Sequence, residues 1–245
     1  SMGVPRADGF FGNCDPMNKK NYRTRCSALI STGYSNTLID TSPDIRQQLL
    51  SKKISTIDKV LYTHMHADQT HGINELRVFY LNNKKKIPIY CDKITAKYLK
   101  ANFSYCFIKN YDYPPILDLK ILKNSSTLMS VNKDINVRAV PVRHGLIDSV
   151  AYIINEKLAY ISDANQLYNK DIKYFVNLKY LVIDCLRLKK HPSHFNLKEV
   201  LKIVSLLKPK KTVLTNLHSD LDYNHLLKTL PNNIKPGYDG LSLNI

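Results

Sequence analysis

Thr63-His64-Met65-His66-Ala67-Asp68-Gln69-Thr70-His71-Gly72 follows directly on the apolar run Val60-Leu61-Tyr62. Lys59–Thr63 reads as a short buried strand, and a loop leaving such a strand holds its side chains at a fixed edge of a sheet. Two imidazoles at i and i+2 can then point to one spot, and a carboxylate two residues on can approach it. Neutral imidazole suits zinc and similar divalent ions. Three histidines and one aspartate within the eight residues His64–His71 are far denser than chance supplies, so the stretch points to a metal centre.

Outward from this stretch, apolar β-type segments alternate with helical ones. Cys26–Ser31 and Thr37–Asp40 read as strands around the Gly33–Asn36 turn, and Ser42-Pro43-Asp44 opens a helix through Leu50. A helix is expected near Ile73–Leu81, then an extended Pro88–Cys91 and a helix from Lys93 to Asn102. In the second half Asn136–Val142, Ala151–Asn155, Leu158–Ile161, Tyr180–Asp184 and Thr212–Thr215 read as strands. Leu197–Leu207 and Tyr223–Leu230 read as helices. Mixing of this kind predicts a layered α/β structure, and periodicity does not separate a doubly wound sheet from two sheets covered by helices. No repeat or linker divides the chain, so residues 1–245 are expected to form one domain.

Polar clusters stand at several strand ends: His144-Gly145, Ser162-Asp163, His191-Pro192-Ser193-His194, and Thr215-Asn216-Leu217-His218. Layered α/β enzymes assemble sites in this way, and each cluster gains weight from the first motif. Arg46, Arg77, Arg143 and Arg187 are candidate phosphate ligands, with surface pairing as the alternative for each.

Composition narrows the class. With 44% hydrophobic and 23% charged residues, the chain reads as an ordinary globular protein. No apolar stretch approaches the roughly 20 residues that cross a bilayer, and the start from Ser1 to Arg6 carries no apolar signal region. Five widely spaced cysteines, with no C-x-x-C pair, argue against a disulfide framework and a Cys-rich structural zinc site. A reduced, cytoplasmic setting is expected. The net charge of +16 has two readings. It draws an anionic partner such as a nucleotide, phosphodiester or nucleic acid, or it reflects a bias towards Lys, Asn and Ile of the kind AT-rich genomes show.

T-H-x-H-x-D, followed by the later H-G, S-D and T-x-x-H segments, resembles the metallo-β-lactamase superfold. The likeness is nearest to bacterial phosphodiesterase-type members such as the phosphoribosyl cyclic phosphodiesterase of phosphonate breakdown, with the tRNA 3′-end endonucleases more distant. It runs through Gly3–Arg6, Arg25–Ala28, Leu38–Thr41, Pro43–Arg46, Asn74–Arg77 and Pro236–Gly240. The resemblance implies an αββα four-layer sandwich with a metal site at one edge. It also implies a short strand before Gly3, so that this chain starts inside the native sequence.

Ligands carried over from the resemblance form two unequal sites. The first uses His64, His66 and His144, with Asp163 bridging to the second. The second keeps Asp68, but Gln69 and Asn216 stand where the family has histidines. An amide oxygen is a poor ligand for zinc, though acceptable to harder ions such as manganese or magnesium. One firm site for a divalent metal (zinc or manganese) and a weak or absent second one are therefore expected. His71 and His218 lie near the two losses, as compensating ligands or as surrounding groups. Asp40 is expected to orient a metal-binding imidazole. Only Cys14 remains of the cluster that holds a structural zinc in phosphonate-pathway members, so that zinc is expected to be absent.

The expected function is phosphodiester hydrolysis of a small or nucleotide-like substrate by metal-bound hydroxide. Asp68 manages the water and His194 the leaving group. The alternatives are a weakly active or inactive nucleotide-binding member and an RNA-processing nuclease. Nucleic acid ranks below a small substrate, because no long inserted arm is present. No membrane partner is expected, and a homodimer stays open.

Overall fold

A strand that reads as an unbroken apolar run has both faces covered, and this chain builds two sheets around such strands. The structure is a computed structural model, and it describes residues 2–109, 112–122 and 128–245, so Ser1 lies outside them. The chain divides into two compact units, residues 26–124 and residues 1–25 with 125–245.

The unit of residues 26–124 holds a five-stranded sheet in sequential order. β1 (Ala28–Thr32) and β2 (Ser35–Ile39) form an antiparallel hairpin. Then β3 (Lys59–Leu61), β4 (Ile87–Cys91) and β5 (Leu117–Ile121) add on in parallel. Parallel addition requires crossovers. They are supplied by α1 (Ile45–Ser51), by the one-turn α2 (Ala67–Thr70) with α3 (Arg77–Asn83), and by α4 (Lys93–Asn102). From its second residue on, central β3 is fully buried: Val60, Leu61 and the following Tyr62 expose nothing, and Val60 and Tyr62 pack with Leu38, Ile89 and Leu99. Each such side chain contributes about 1.5–3 kcal/mol on burial, which fixes where β3 ends and hence where His64 stands.

The other unit holds an eight-stranded sheet among the described residues. β6 (Leu128–Asn132), β7 (Ile135–His144), β8 (Ile147–Ile154) and β9 (Leu158–Ile161) run antiparallel in succession. The two-residue β10 (Gln166–Leu167) pairs with the end of β7. From β9 the sheet continues in parallel through β11 (Tyr180–Asp184), β12 (Lys211–Thr215) and β13 (Ile234–Pro236). Two reversals separate β7 from β9, so β7, β9, β11 and β12 all end at the same edge. His144, Asp163, Asp184 and Asn216 stand at those four ends.

Helix α5 (Leu197–Leu207) crosses between β11 and β12, and α6 (Tyr223–Thr229) between β12 and β13. In α5 the buried Val200, Val204 and Leu207 recur at i, i+4 and i+7, and Asn196 with Glu199 forms a reciprocal capping box at its start. The helix expected at Ile73–Leu81 divides: Ile73–Leu76 is a 3₁₀ turn before α3.

Candidate metal centre

In the unit of residues 26–124 the site begins at Asp40. This residue leaves β2 at φ +61°, in the left-handed region that Asp tolerates better than most side chains, and it is fully buried. Its carboxylate accepts from the Thr63 backbone N–H at 2.7 Å and from the Thr63 hydroxyl at 2.8 Å. With the hydroxyl proton so used, Thr63 Oγ1 accepts from His64 Nδ1–H at 3.0 Å. This network assigns the tautomer and leaves His64 Nε2 with its lone pair. His66 Nδ1 lies 3.0 Å from His64 Nε2, with the rings edge-on at 77°. Two imidazole nitrogens that close fit a shared proton or a shared cation. Asp40 thus acts on His64 through the Thr63 hydroxyl.

The same loop turns through Gly72, where a Cβ would fall 2.0 Å from the Ser42 carbonyl oxygen. Half-buried Asp68 accepts from the amide of buried Gln69 at 3.5 Å. His71 is exposed, with Nε2 2.9 Å from the Tyr98 hydroxyl and its ring near Phe103.

In the other unit, His144 ends β7 and donates Nδ1–H to the Ser193 carbonyl at 2.6 Å. This bond needs the close approach of Gly145, at φ +62°, where a Cβ would meet Ser193 Cβ at 2.9 Å. His194 donates Nδ1–H to Asp184 Oδ2 at 2.7 Å. Both imidazoles therefore turn Nε2 inward, each 3.8 Å from Asp163 Oδ2. Ligand atoms of His144, Asp163 and His194 all lie within 4.8 Å of one another, and all three residues are buried. Two lone-pair nitrogens and a carboxylate oxygen, each oriented from behind, fit a divalent cation by their donor chemistry.

Burial pushes the Asp184 carboxyl up to about 7, against the opposing pull of its hydrogen bond to His194. Burial alone lowers His194, but the hydrogen bond and charge of Asp184 outweigh it and leave the imidazole raised. The two groups share one hydrogen bond, from His194 Nδ1 to Asp184 Oδ2. Asn216, at φ +61°, points its amide Nδ2 at the Ser162 carbonyl and at Asp184 Oδ1, both at 3.3 Å. Both neighbours are acceptors, so the NH₂ end faces them. His218 donates its backbone N–H to Leu186, and its carbonyl accepts from Arg23 at 3.3 Å. Burial lowers its imidazole pKa.

Sequence reasoning named His194 but passed over its partner Asp184. The signal was there: an apolar strand ending in Asp, as at Asp40. Thr63 was likewise missed, and the Ser193 carbonyl has no side-chain signature at all. Of the arginines, Arg143 pairs with Asp148 at 3.5 Å, Arg77 lies over Tyr113, and Arg187 donates to the Lys189 and Lys190 carbonyls. No disulfide forms among the described residues, and none of their helices is long and apolar enough to cross a membrane.

Comparison with known proteins identifies the family. A Porphyromonas gingivalis protein named octanoyltransferase is 31% identical over 98% of this chain, and the chain spans 49% of that relative's length. A diphosphatase of the PhnP family is similar at 28% identity, with a TM-score of 0.88 over all of this chain and 93% of that one. Zinc-bound PqqB from Methylobacterium extorquens superposes with a TM-score of 0.80 over 100% of this chain and 97% of its own. The short form of human tRNase Z reaches 0.69 over 96% and 98%. At 16% identity each, these two show a shared fold. Residues 35–216, most of the chain, match the model of the Beta-lactamase superfamily domain. The chain belongs to that superfamily, and its fold is the metallo-β-lactamase fold.

Proposed function

We propose that the protein is a metal-dependent phosphodiesterase acting on a small or nucleotide-like phosphodiester. The observation that carries this reading is the inward convergence of His144 Nε2, His194 Nε2 and Asp163 Oδ2, with each imidazole held from behind by an acceptor. The likeness to a diphosphatase supports the phosphorus chemistry. By the family's pattern His64, His66, His144 and Asp163 would hold a first ion, zinc or manganese, and Asp68 would belong to a weaker second site. A divalent ion supplies a water of lowered pKa and polarisation of a phosphoryl oxygen. Asp68 would orient the attacking water and take its proton. When His194 holds no ion and carries a second proton, a form that Asp184 stabilises, its Nε2–H would give that proton to the leaving oxygen. The Asn216 amide donates to Asp184 and so supports this pair, which suits a reading in which Asn216 no longer serves as a ligand.

Elemental analysis for bound metal, together with turnover of bis(p-nitrophenyl) phosphate under zinc, manganese and magnesium, tests the proposal. We expect at least one ion per chain and turnover that disappears in His64→Ala. Bound metal without turnover under any ion would overturn the catalytic reading in favour of a nucleotide-binding protein. A second reading rests on the octanoyltransferase relative, of which this chain matches about half. In it the protein acts beside acyl transfer, and its substrate is an activated octanoyl group. Hydrolysis of an octanoyl thioester, with the phosphodiester untouched, would favour that reading.

A further inference from the structure

His71 is not among the clustered metal-ligating atoms of the described residues. Its Nε2 instead meets the Tyr98 hydroxyl at 2.9 Å. The two rings are 13° from parallel, and their centroids are 6.5 Å apart. A short contact between edge atoms at that separation sets the rings side by side, not one over the other. Phe103 stands nearly at right angles to both, 5.4 Å from His71 at 81° and 6.4 Å from Tyr98 at 70°. A ring so placed braces the pair and cannot lie flat over its face. His71 is exposed and Tyr98 half-buried, so a flat surface two rings long is open to solvent.

The backbone holds this surface in place. Thr70, just before His71, is buried and donates its hydroxyl to the His66 carbonyl at 2.9 Å. Gly72, just after it, donates its N–H to the Thr41 carbonyl at 2.8 Å. Tyr98 sits in α4 next to the fully buried Leu99, and Phe103 caps the end of that helix. A surface fixed in advance loses little freedom when a ligand arrives. Its place along the chain matters as well. His71 closes the one-turn α2, in which Asp68 stands three residues earlier. Residues at i and i+3 of a helical turn are neighbours, with Cβ atoms roughly 5–6 Å apart. The surface therefore adjoins the carboxylate to which the attacking water is assigned.

Flat aromatic faces attract other flat rings, and a base stacked on an aromatic side chain binds roughly 5–150-fold more tightly than without it. An alkyl chain, by contrast, is best held in a concave apolar cleft and gains nothing from two rings set side by side. We propose that the paired rings of His71 and Tyr98 are the subsite for the base of a nucleotide substrate whose phosphorus lies at the metal loop. The inference rests on the phosphodiesterase reading and narrows it to substrates that carry a base. It needs no surplus of charge, because the base is neutral and meets the rings by its face.

Binding tests the subsite separately from the reaction. AMP and ribose 5-phosphate, which lacks the base, are titrated into the protein and followed by NMR. The His71 signals are those missing from the spectrum of His71→Ala. We expect AMP to shift the ring signals of His71 and Tyr98, and to bind roughly tenfold more tightly than ribose 5-phosphate. His71→Ala should remove that advantage, so that the two probes bind alike. His71→Phe keeps a ring but loses the hydrogen bond, and should hold AMP within about threefold of the parent affinity. AMP that binds no better than ribose 5-phosphate, or an advantage that survives His71→Ala, would overturn the subsite. So would a loss in His71→Phe as large as in His71→Ala, since the imidazole would then serve only to tether its loop. AMP stacked at His71 without turnover of bis(p-nitrophenyl) phosphate sinks the hydrolase reading and leaves the subsite standing. Turnover without stacking does the reverse.

Discussion

His194 and His144 do the same thing with different partners. Each gives its Nδ1 proton to a fixed oxygen, Asp184 in one case and the Ser193 carbonyl in the other. Only the first partner is a side chain, and it is the more open to mutation. In Asp184→Asn the new amide keeps the volume but removes the charge behind His194. Its NH₂ then faces either Asn216 Nδ2, or His194 Nδ1 and the Ala164 N–H together, so that at least one hydrogen bond is lost whichever way it turns. We expect metal affinity to fall about 10–100-fold, as for other groups that orient ligands, read by competition with a chromophoric chelator. Unchanged affinity would remove Asp184 from the centre. The Ser193 carbonyl is reached through its neighbour instead. Gly145→Ala forces a Cβ against Ser193 at positive φ, and should cost about 1–3 kcal/mol in chemical denaturation while lowering metal affinity as well. These residues also show where reading a sequence stops. His64 and His66 are legible because ligand spacing is written in side chains. Asp184 was half-legible as a strand-ending acid, and a backbone acceptor carries no residue identity.

Elements were legible in proportion to their length and their ends. α5 emerges with its boundaries intact because Asn196 and Glu199 mark its start and its apolar period is unbroken. Strands β5, the two-residue β10 and the three-residue β13 had no such marks, since pairing with neighbours more than 20 residues away along the chain defines them. At α6 the cap does more than start a helix. Asp222 accepts from the His225 N–H at 2.8 Å, and also from the Asn21 amide at 2.6 Å and the Asp15 N–H at 3.2 Å, so it ties the N-terminal segment down. Burial pushes its carboxyl up, but these donors outweigh burial and hold it below its ordinary 3.8. A depressed folded pKa stabilises above the unfolded value, and that stability is lost as pH falls through the folded one. Asp222→Ala should therefore cost about 1–2 kcal/mol near neutrality. The gap to the parent protein should begin to close as pH drops below about 4. Thermal unfolding across pH 2–7 checks this. A gap constant over that range would show that the charge on Asp222 contributes nothing.

For the molecule as a whole, the alternation of strands and helices gave the class, and motif likeness, not periodicity, decided between one sheet and two. Charge is the property no single element explains. A surplus of +16 attracts any polyanion, so binding to RNA would by itself say little about function. Salt separates the two cases. For single strands log affinity falls with log salt at a slope of about −0.7 per phosphate neutralised, so five contacts lose about a hundredfold between roughly 50 and 200 mM. A small phosphodiester meets one or two charges, and its kcat/KM should fall only about three- to sevenfold over the same range. We expect turnover of the small substrate to persist at the upper salt concentration where RNA retention is lost. Cleavage of RNA with the small diester untouched, and a steep salt slope on that cleavage, would instead make the positive charge part of substrate recognition and move the function to RNA processing.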